Sequence, residues 1–326
     1  MAPPPAFSDI AKLSNDLLNK DFYHASAANL EVKTKAPNGV AFTVKGKSAH
    51  DGPIAASTEA KYADKSGKYC SLSQLAFSVS GLPLPFRIYL YNWFTQDRVG
   101  LMLVSRPSSG VTITQGWTTA NSLDTKVELD NTLAKGLKAE VLAHYLPATS
   151  NWGTKMNLYF KQPNFHVRTF IDPNKGPTAS IDAVLGHEGF LVGCEAGYDV
   201  QKAAITKYSA ALGYNVSQYA AAITATNNLS VFSASYYHKV NDDVEAGAKA
   251  TWDSKTSTSV GLELASKYKL DPTSFVKAKI NDRGIAALAY NIKVRSGVTF
   301  GAGVGLDTQK LDQPVHKIGA SLTLEA

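Results

Sequence analysis

The feature that most constrains this chain is a repeated alternation of apolar and polar side chains, in runs about ten residues long. Leu30, Val32 and Thr34 alternate with Glu31, Lys33 and Lys35. Val40, Phe42 and Val44 alternate with Thr43, Lys45 and Lys47. Val244, Ala246, Ala248, Ala250 and Trp252 alternate with Glu245, Gly247, Lys249 and Thr251. The same holds for Val276, Ala278 and Ile280 against Lys277, Lys279 and Asn281. Ile318, Ala320, Leu322 and Leu324 alternate with Lys317, Gly319, Ser321 and Thr323. A period of two puts the two sets on opposite faces of a strand. About ten residues is the length a tilted strand needs to cross a bilayer.

Turn-forming clusters separate the runs: Pro37-Asn38-Gly39, Asp51-Gly52-Pro53, Pro173 to Gly176, Asn241-Asp242-Asp243 and Asp282-Arg283-Gly284. About nineteen strand-like segments can be counted outside residues 68–110. No helix-length pattern interrupts them, which argues against crossover helices and an α/β fold. The expected class is all-β, a barrel or a sandwich. At 326 residues the chain could hold two ordinary domains or one large barrel.

The apolar face chooses between soluble and membrane-spanning forms. It is often small, as at Ala246, Ala248, Ala250, Ala278 and Ala320. Small side chains fill a close-packed interior poorly but suit a lipid-facing wall. With this many strands the interior would be too wide for side chains to fill, leaving an aqueous lumen. The pattern favours a membrane barrel over a large soluble β protein. Composition agrees: 44% hydrophobic residues, a mean hydropathy of −0.13, and only 18% charged. That excludes an ordinary helical membrane protein and a disordered chain. The most apolar stretch, Leu72 to Ser105, is broken by Gly81, Pro83, Pro85, Arg87, Gln96, Asp97 and Arg98. It is no spanning helix.

The N-terminus differs from the rest. Phe7 to Asn19 is predicted as a short amphipathic helix after Pro3, Pro4 and Pro5, with Ser8 as its N-cap. Ile10, Leu13, Leu17 and Leu18 recur at helical spacing. Such a helix packs on a core, lies inside a larger structure or rests on a membrane surface. Met1 to Lys20 has no apolar signal core, and the N-terminus carries Asp9, Asp16 and Asp21, unlike an Arg-rich matrix presequence.

The formal net charge is +6. No long basic run accompanies it, so nucleic acid is not an expected partner. Cys70 and Cys194 are expected as unpaired thiols. The sequence contains no GxSxG, HExxH or Walker A motif. Gly301-Ala302-Gly303-Val304-Gly305 lies in a strand-like run and reads as small residues at a close approach, not a phosphate loop. The seven histidines are scattered: His24, His50, His144, His166, His187, His238 and His316. No enzymatic activity, cofactor or metal is expected.

Both ends of the chain resemble the mitochondrial porins, or voltage-dependent anion channels. The N-terminal match rests on Pro4-Pro5, Asp9, Lys12, Asp16 and Lys20 in the same spacing. Gly136-Leu137-Lys138 matches that family's Gly-Leu-Lys element. Phe165-His166, Gly186 to Gly189, Gly197-Tyr198-Asp199 and Thr224 to Val240 are similar to its fungal members. Lys317, Gly319, Leu322 and Leu324 fit the family's last-strand signal for outer-membrane insertion. The similarity covers residues 1 to about 67 and 110 to 326.

The resemblance implies a 19-stranded transmembrane barrel with the N-terminal helix inside the pore. Residues 1–25 would form the helical segment, and 27–67 with 111–326 the barrel strands. It implies a voltage-gated, weakly anion-selective channel of the mitochondrial outer membrane, passing ATP, ADP, phosphate and other small metabolites. Lys12, Asp16 and Lys20 would be the pore and gating residues of the helix. The alternation independently puts Lys33, Lys35, Lys45, Lys47, Lys61, Lys249, Lys277, Lys279 and Lys317 on the polar face with Glu31, Glu59, Glu245 and Glu263. A mildly positive wet wall concentrates anions without trapping them. Expected partners are the permeating nucleotides and small anions, outer-membrane lipids and the barrel-assembly machinery. A homo-oligomer is allowed. Two alternatives stay open: a related protein-import pore, and a non-conducting paralogue used for docking or assembly. One departure is Gln115, where some family members place a membrane-facing glutamate. Functions tied to that acid are not carried over.

Residues 68–110 break the pattern. About 43 residues intervene before Val111, without alternation and with Pro83, Pro85 and Pro107. Gly67-Lys68-Tyr69 can be encoded as GGT AAG TAC, which contains a splice-donor consensus. A retained intron in the gene model would explain the stretch. Its removal would leave about 283 residues and take away +3 of the net charge. The rival reading is a real insertion that serves as a membrane-surface or partner-binding element.

Overall fold

The computed structural model describes residues 3–37, 39–50, 52–63, 111–131, 134–174, 176–256, 260–313 and 316–326. The proposed insertion lies outside the described residues. Nineteen strands form one sheet. The first ten are β1 Ala28–Lys35, β2 Ala41–Ser48, β3 Ile54–Ala63, β4 Val111–Thr118, β5 Leu123–Asp130, β6 Leu137–Leu146, β7 Asn151–Lys161, β8 Phe165–Asp172, β9 Thr178–His187 and β10 Phe190–Asp199. The rest are β11 Ala204–Asn215, β12 Tyr219–Thr226, β13 Val231–Lys239, β14 Val244–Asp253, β15 Gly261–Asp271, β16 Ser274–Asn281, β17 Ile285–Arg295, β18 Val298–Asp307 and β19 Lys317–Glu325.

Consecutive strands pair antiparallel, and the sheet closes on itself between β1 and β19. That last pairing is parallel, from Ala28 opposite Ala320 to Lys33 opposite Glu325. An odd number of up-and-down strands requires it, because the first and last then run the same way. Closure leaves no edge. The fold is therefore a barrel, not a sandwich.

The faces sort as the alternation demands. On the outside stand Ile54, Ile223, Leu288 and Ile318, with Ile54 71% exposed and Ile318 70%. A soluble barrel would hide such residues. The Ala246, Ala248 and Ala250 face of β14 is on this side, opposite the wall that touches the N-terminal segment. Aromatic side chains gather near both rims. At one, Phe190 and Tyr214 lie 4.5 Å apart and Tyr214 and Tyr219 5.9 Å. At the other, Tyr145 and Trp152 are 4.5 Å apart and Phe232 and Trp252 5.6 Å. Such belts match the headgroup depth of a bilayer.

The expected single helix from Phe7 to Asn19 divides. A 3-10 turn spans Phe7–Asp9, and α1 spans Lys12–Asn19. Ser8 does not cap a helix; its hydroxyl accepts from the Arg168 guanidinium at 3.3 Å. Ala11 precedes α1 without a side-chain cap, and the Ser14 hydroxyl donates back to the Ala11 carbonyl at 3.0 Å. Wall packing overrides the local propensity here. The break lets Ile10 and Leu17 each reach its own seat. A second 3-10 turn, Tyr23–Ala25, leads into β1.

Candidate pore and its inner lining

The buried apolar clusters among the described residues all lie under the N-terminal segment. Ile10 packs with Val184, Leu191, Ala211 and Ala222. Leu17 and Leu18 pack with Ala265, and Phe22 packs with Ala287 and Ala289. The segment runs diagonally along the inner wall. It starts at the rim where β9 turns into β10, where Pro4 meets Gly186, and ends at the opposite rim before β1. Small wall residues make its groove. A Cβ on Gly213 would stand 2.7 Å from Ile10 Cγ2, and one on Gly247 2.8 Å from Leu17 Cδ2. Gly301, Gly303 and Gly305 form the floor under Tyr23 and His24. The Gly-rich run is thus a site of close approach within β18.

Charges fasten the segment. Arg168 on β8 bonds Asp182 on β9 through Nε at 3.0 Å and Nη2 at 2.8 Å, and reaches Ser8. Lys249 on β14 donates to Asn15 Oδ1 at 3.1 Å. Lys277 on β16 is 3% exposed and donates to the backbone carbonyls of Asp16 and Lys20. Lys279 donates to the Leu18 carbonyl at 3.2 Å. The Tyr23 hydroxyl accepts from the Asn291 amide. On the other side of α1, Lys12 and Lys20 have side chains 53% and 60% exposed. Lys20 pairs with Asp16 at 2.7 Å, and that contact holds its ammonium above the ordinary pKa.

The wall away from the segment is charged and more open. Glu31 on β1 lies 3.4 Å from Lys45 and 3.7 Å from Lys33, which also reaches Glu325 at 2.9 Å. Lys35, Lys47, Glu59 and Lys61 make no ion pair with the described residues. On β5 and β6, Lys126, Glu128, Lys138 and Glu140 form a quartet with contacts from 2.5 to 3.3 Å. The Tyr159 hydroxyl on β7 donates to Glu140 at 3.0 Å. Register puts Glu128 opposite Glu140, so the two lysines separate like charges.

The remaining sequence-predicted residues have plain positions. Gly136 sits at φ +84° in the turn before β6, a left-handed conformation that suits glycine. Its N–H donates to Asn131 Oδ1 at 2.7 Å, and its carbonyl accepts from Lys161. Leu137 begins β6, and Lys138 belongs to the quartet. On β19, Gly319 faces inward beneath Tyr23 and Ser26, with Lys317 on the same face. Leu322 and Leu324 lie outward, opposite Leu30 and Val32 of β1. Gln115 on β4 shares the outer face with Trp117 and is paired to Ala60 and Thr125. Cys194 is an exposed free thiol on β10. Sequence reasoning missed the Arg168–Asp182 pair and the quartet. None of these was singled out on the polar face, and alternation alone does not give the register that brings them together.

A closed, odd-stranded barrel with an apolar belt outside, a charged wall inside and a peptide lodged on that wall is a membrane-spanning pore by construction. The chain belongs to the eukaryotic porin family, whose model matches residues 3–319. The mitochondrial outer membrane protein porin of Neurospora crassa is 56% identical over 99% of both chains. The protein of that name from Candida albicans is 45% identical over 99% of both. Non-selective voltage-gated ion channel 1 of Saccharomyces cerevisiae is 36% identical, again over 99% of both.

Proposed function

We propose that this chain is a voltage-gated channel of the mitochondrial outer membrane through which small solutes diffuse. Weak anion preference and passage of ATP, ADP and phosphate are the finer part of the proposal. The observation that carries it is the set of cations exposed on the inner wall. Lys35, Lys47 and Lys61 stand on one side, and Lys12 and Lys20 on the segment stand on the other. Fixed positive charge in a wet lumen raises the local anion concentration, and half-exposed side chains release what they attract. Voltage would act on the charged segment and the wall that holds it, so Lys12, Asp16 and Lys20 are assigned to gating. No step requires bond making or breaking. The Lys317 to Leu324 element of β19 is assigned to recognition by the barrel-assembly machinery.

Single-channel recording in planar bilayers tests the reading. The expected result is large steps, a reversal potential of anion sign in a salt gradient, and closure at both polarities. A folded barrel that carries no current would overturn it in favour of the docking reading.

A further inference from the structure

We propose that Lys277 and Lys279 are positioning residues that clamp the C-terminal end of α1 to the barrel wall. Their charges then set where the N-terminal segment rests, not which ions pass. The inference rests on the channel reading and assigns these two lysines within it.

The last carbonyls of any helix lack partners inside the helix and carry the negative end of its dipole. α1 supplies one bond of its own there, from the Lys20 N–H to the Asp16 carbonyl at 3.0 Å. Its last turn holds no basic residue, and Lys20 after it is extended. Asp21 then takes φ +61°, an unfavourable region for a residue with a side chain. The wall supplies a second donor at Asp16 and reaches the carbonyls beyond it. Lys277 Nζ lies 3.2 Å from the Asp16 carbonyl oxygen, 2.9 Å from that of Lys20 and 3.5 Å from the Asp21 carboxylate. Lys279 Nζ lies 3.2 Å from the Leu18 carbonyl oxygen. Both ammonium groups also stand over the Phe22 ring, at 5.3 and 4.9 Å from its centroid. Two residues apart on one strand, they point to the same face and grip successive parts of the helix end.

Register makes the assignment sharper. Lys277 is directly opposite Lys267 on β15. Like charges at that spacing repel, so this is a poor place for a merely solvated lysine. Lys267 is met by Glu245 at 3.3 Å, and Lys277 is met by the helix end. At 3% exposure Lys277 has little surface to offer a permeating ion.

The test uses the full chain in a thiol-free background, Cys70→Ser with Cys194→Ser, and carries Ser14→Cys as reporter. Ser14 is 4% exposed, and the replacement is close to isosteric. Two readouts are compared: the rate of modification by a water-soluble methanethiosulfonate, and the voltage of half-closure. Lys277→Met with Lys279→Met should speed modification about tenfold or more, because hydrogen bonds to a charged donor are lost at a helix end. Half-closure should shift with it. The open-state reversal potential should move less than in the Lys47→Met, Lys61→Met pair. Lys277→Arg, which keeps charge and donors, should restore slow modification. If the double variant does not fold, Lys279→Met alone decides by the same readouts. Unchanged modification would overturn the clamp, whatever the reversal potential does.

Discussion

Burial in the fold opposes a positive charge on His24. Its ring lies on Gly305, and its carbonyl oxygen is 2.9 Å from His50 Nε2. Burial lowers its pKa below the ordinary value, and Lys279, Lys317 and His50 add to the effect. In a segment lifted off the wall, His24 would titrate near its ordinary value of about 6.5. The seated state therefore binds fewer protons. Seating is fully favoured above about pH 6.5 and weakens as pH falls through that value toward the lowered one. Voltage-induced closure should accordingly change between pH 7.5 and pH 5.5 (bath values), and His24→Gln should flatten the change. An identical pH profile in that variant would remove His24 from the account. Arg168 poses the opposite problem, since Asp182 beneath it has a side chain only 4% exposed. Arg168→Met would strand that carboxylate and cost about 3 kcal/mol, whereas Arg168→Met with Asp182→Asn should recover most of the loss. Urea unfolding in detergent micelles measures both.

Among the elements, the strands were legible and the helix only in part. Alternation at Val244 to Trp252 or Ile318 to Leu324 names each face, because a strand's period is two whatever surrounds it. The small apolar residues of β14 even pointed outward to lipid. The break at Ile10 and Ala11 was not readable, since its cause is the glycines of β10 and β11, far along the chain. Nor could the polar face tell a lysine facing solution from one beneath a helix, as Lys47 and Lys277 show. The Ser8 cap failed for the same reason: Arg168 claims that hydroxyl. Leu18, with no exposed surface, is the firmest apolar anchor of α1. Leu18→Ala should weaken seating of the segment by about 2 kcal/mol or more, seen as faster thiol modification at Ser14→Cys. The β3–β4 pairing, from Ser57 opposite Thr118 to Ala63 opposite Thr112, bears on the proposed insertion. Removing residues 68–110 would leave a four-residue link from Asp64 to Gly67 before Val111, within the ordinary hairpin range. The shortened chain should fold and conduct. Transcript sequencing then decides between a retained intron and a real insertion.

At the scale of the molecule the lumen is lopsided. The N-terminal segment occupies the wall of β8 to β19, while the open cations Lys35, Lys47 and Lys61 stand on β1 to β3. Lys47→Glu with Lys61→Glu should drive the reversal potential toward cation preference, and an unchanged potential would place the conducting path elsewhere. The parallel seam has a further consequence, for sidedness. Because β1 and β19 run the same way, β1 begins at one rim and β19 ends at the other. The segment before β1 then doubles back through the lumen, so Pro4 beside Gly186 and Ala326 beside Lys33 share a rim. A protease or antibody confined to one compartment should therefore reach tags at both ends or at neither.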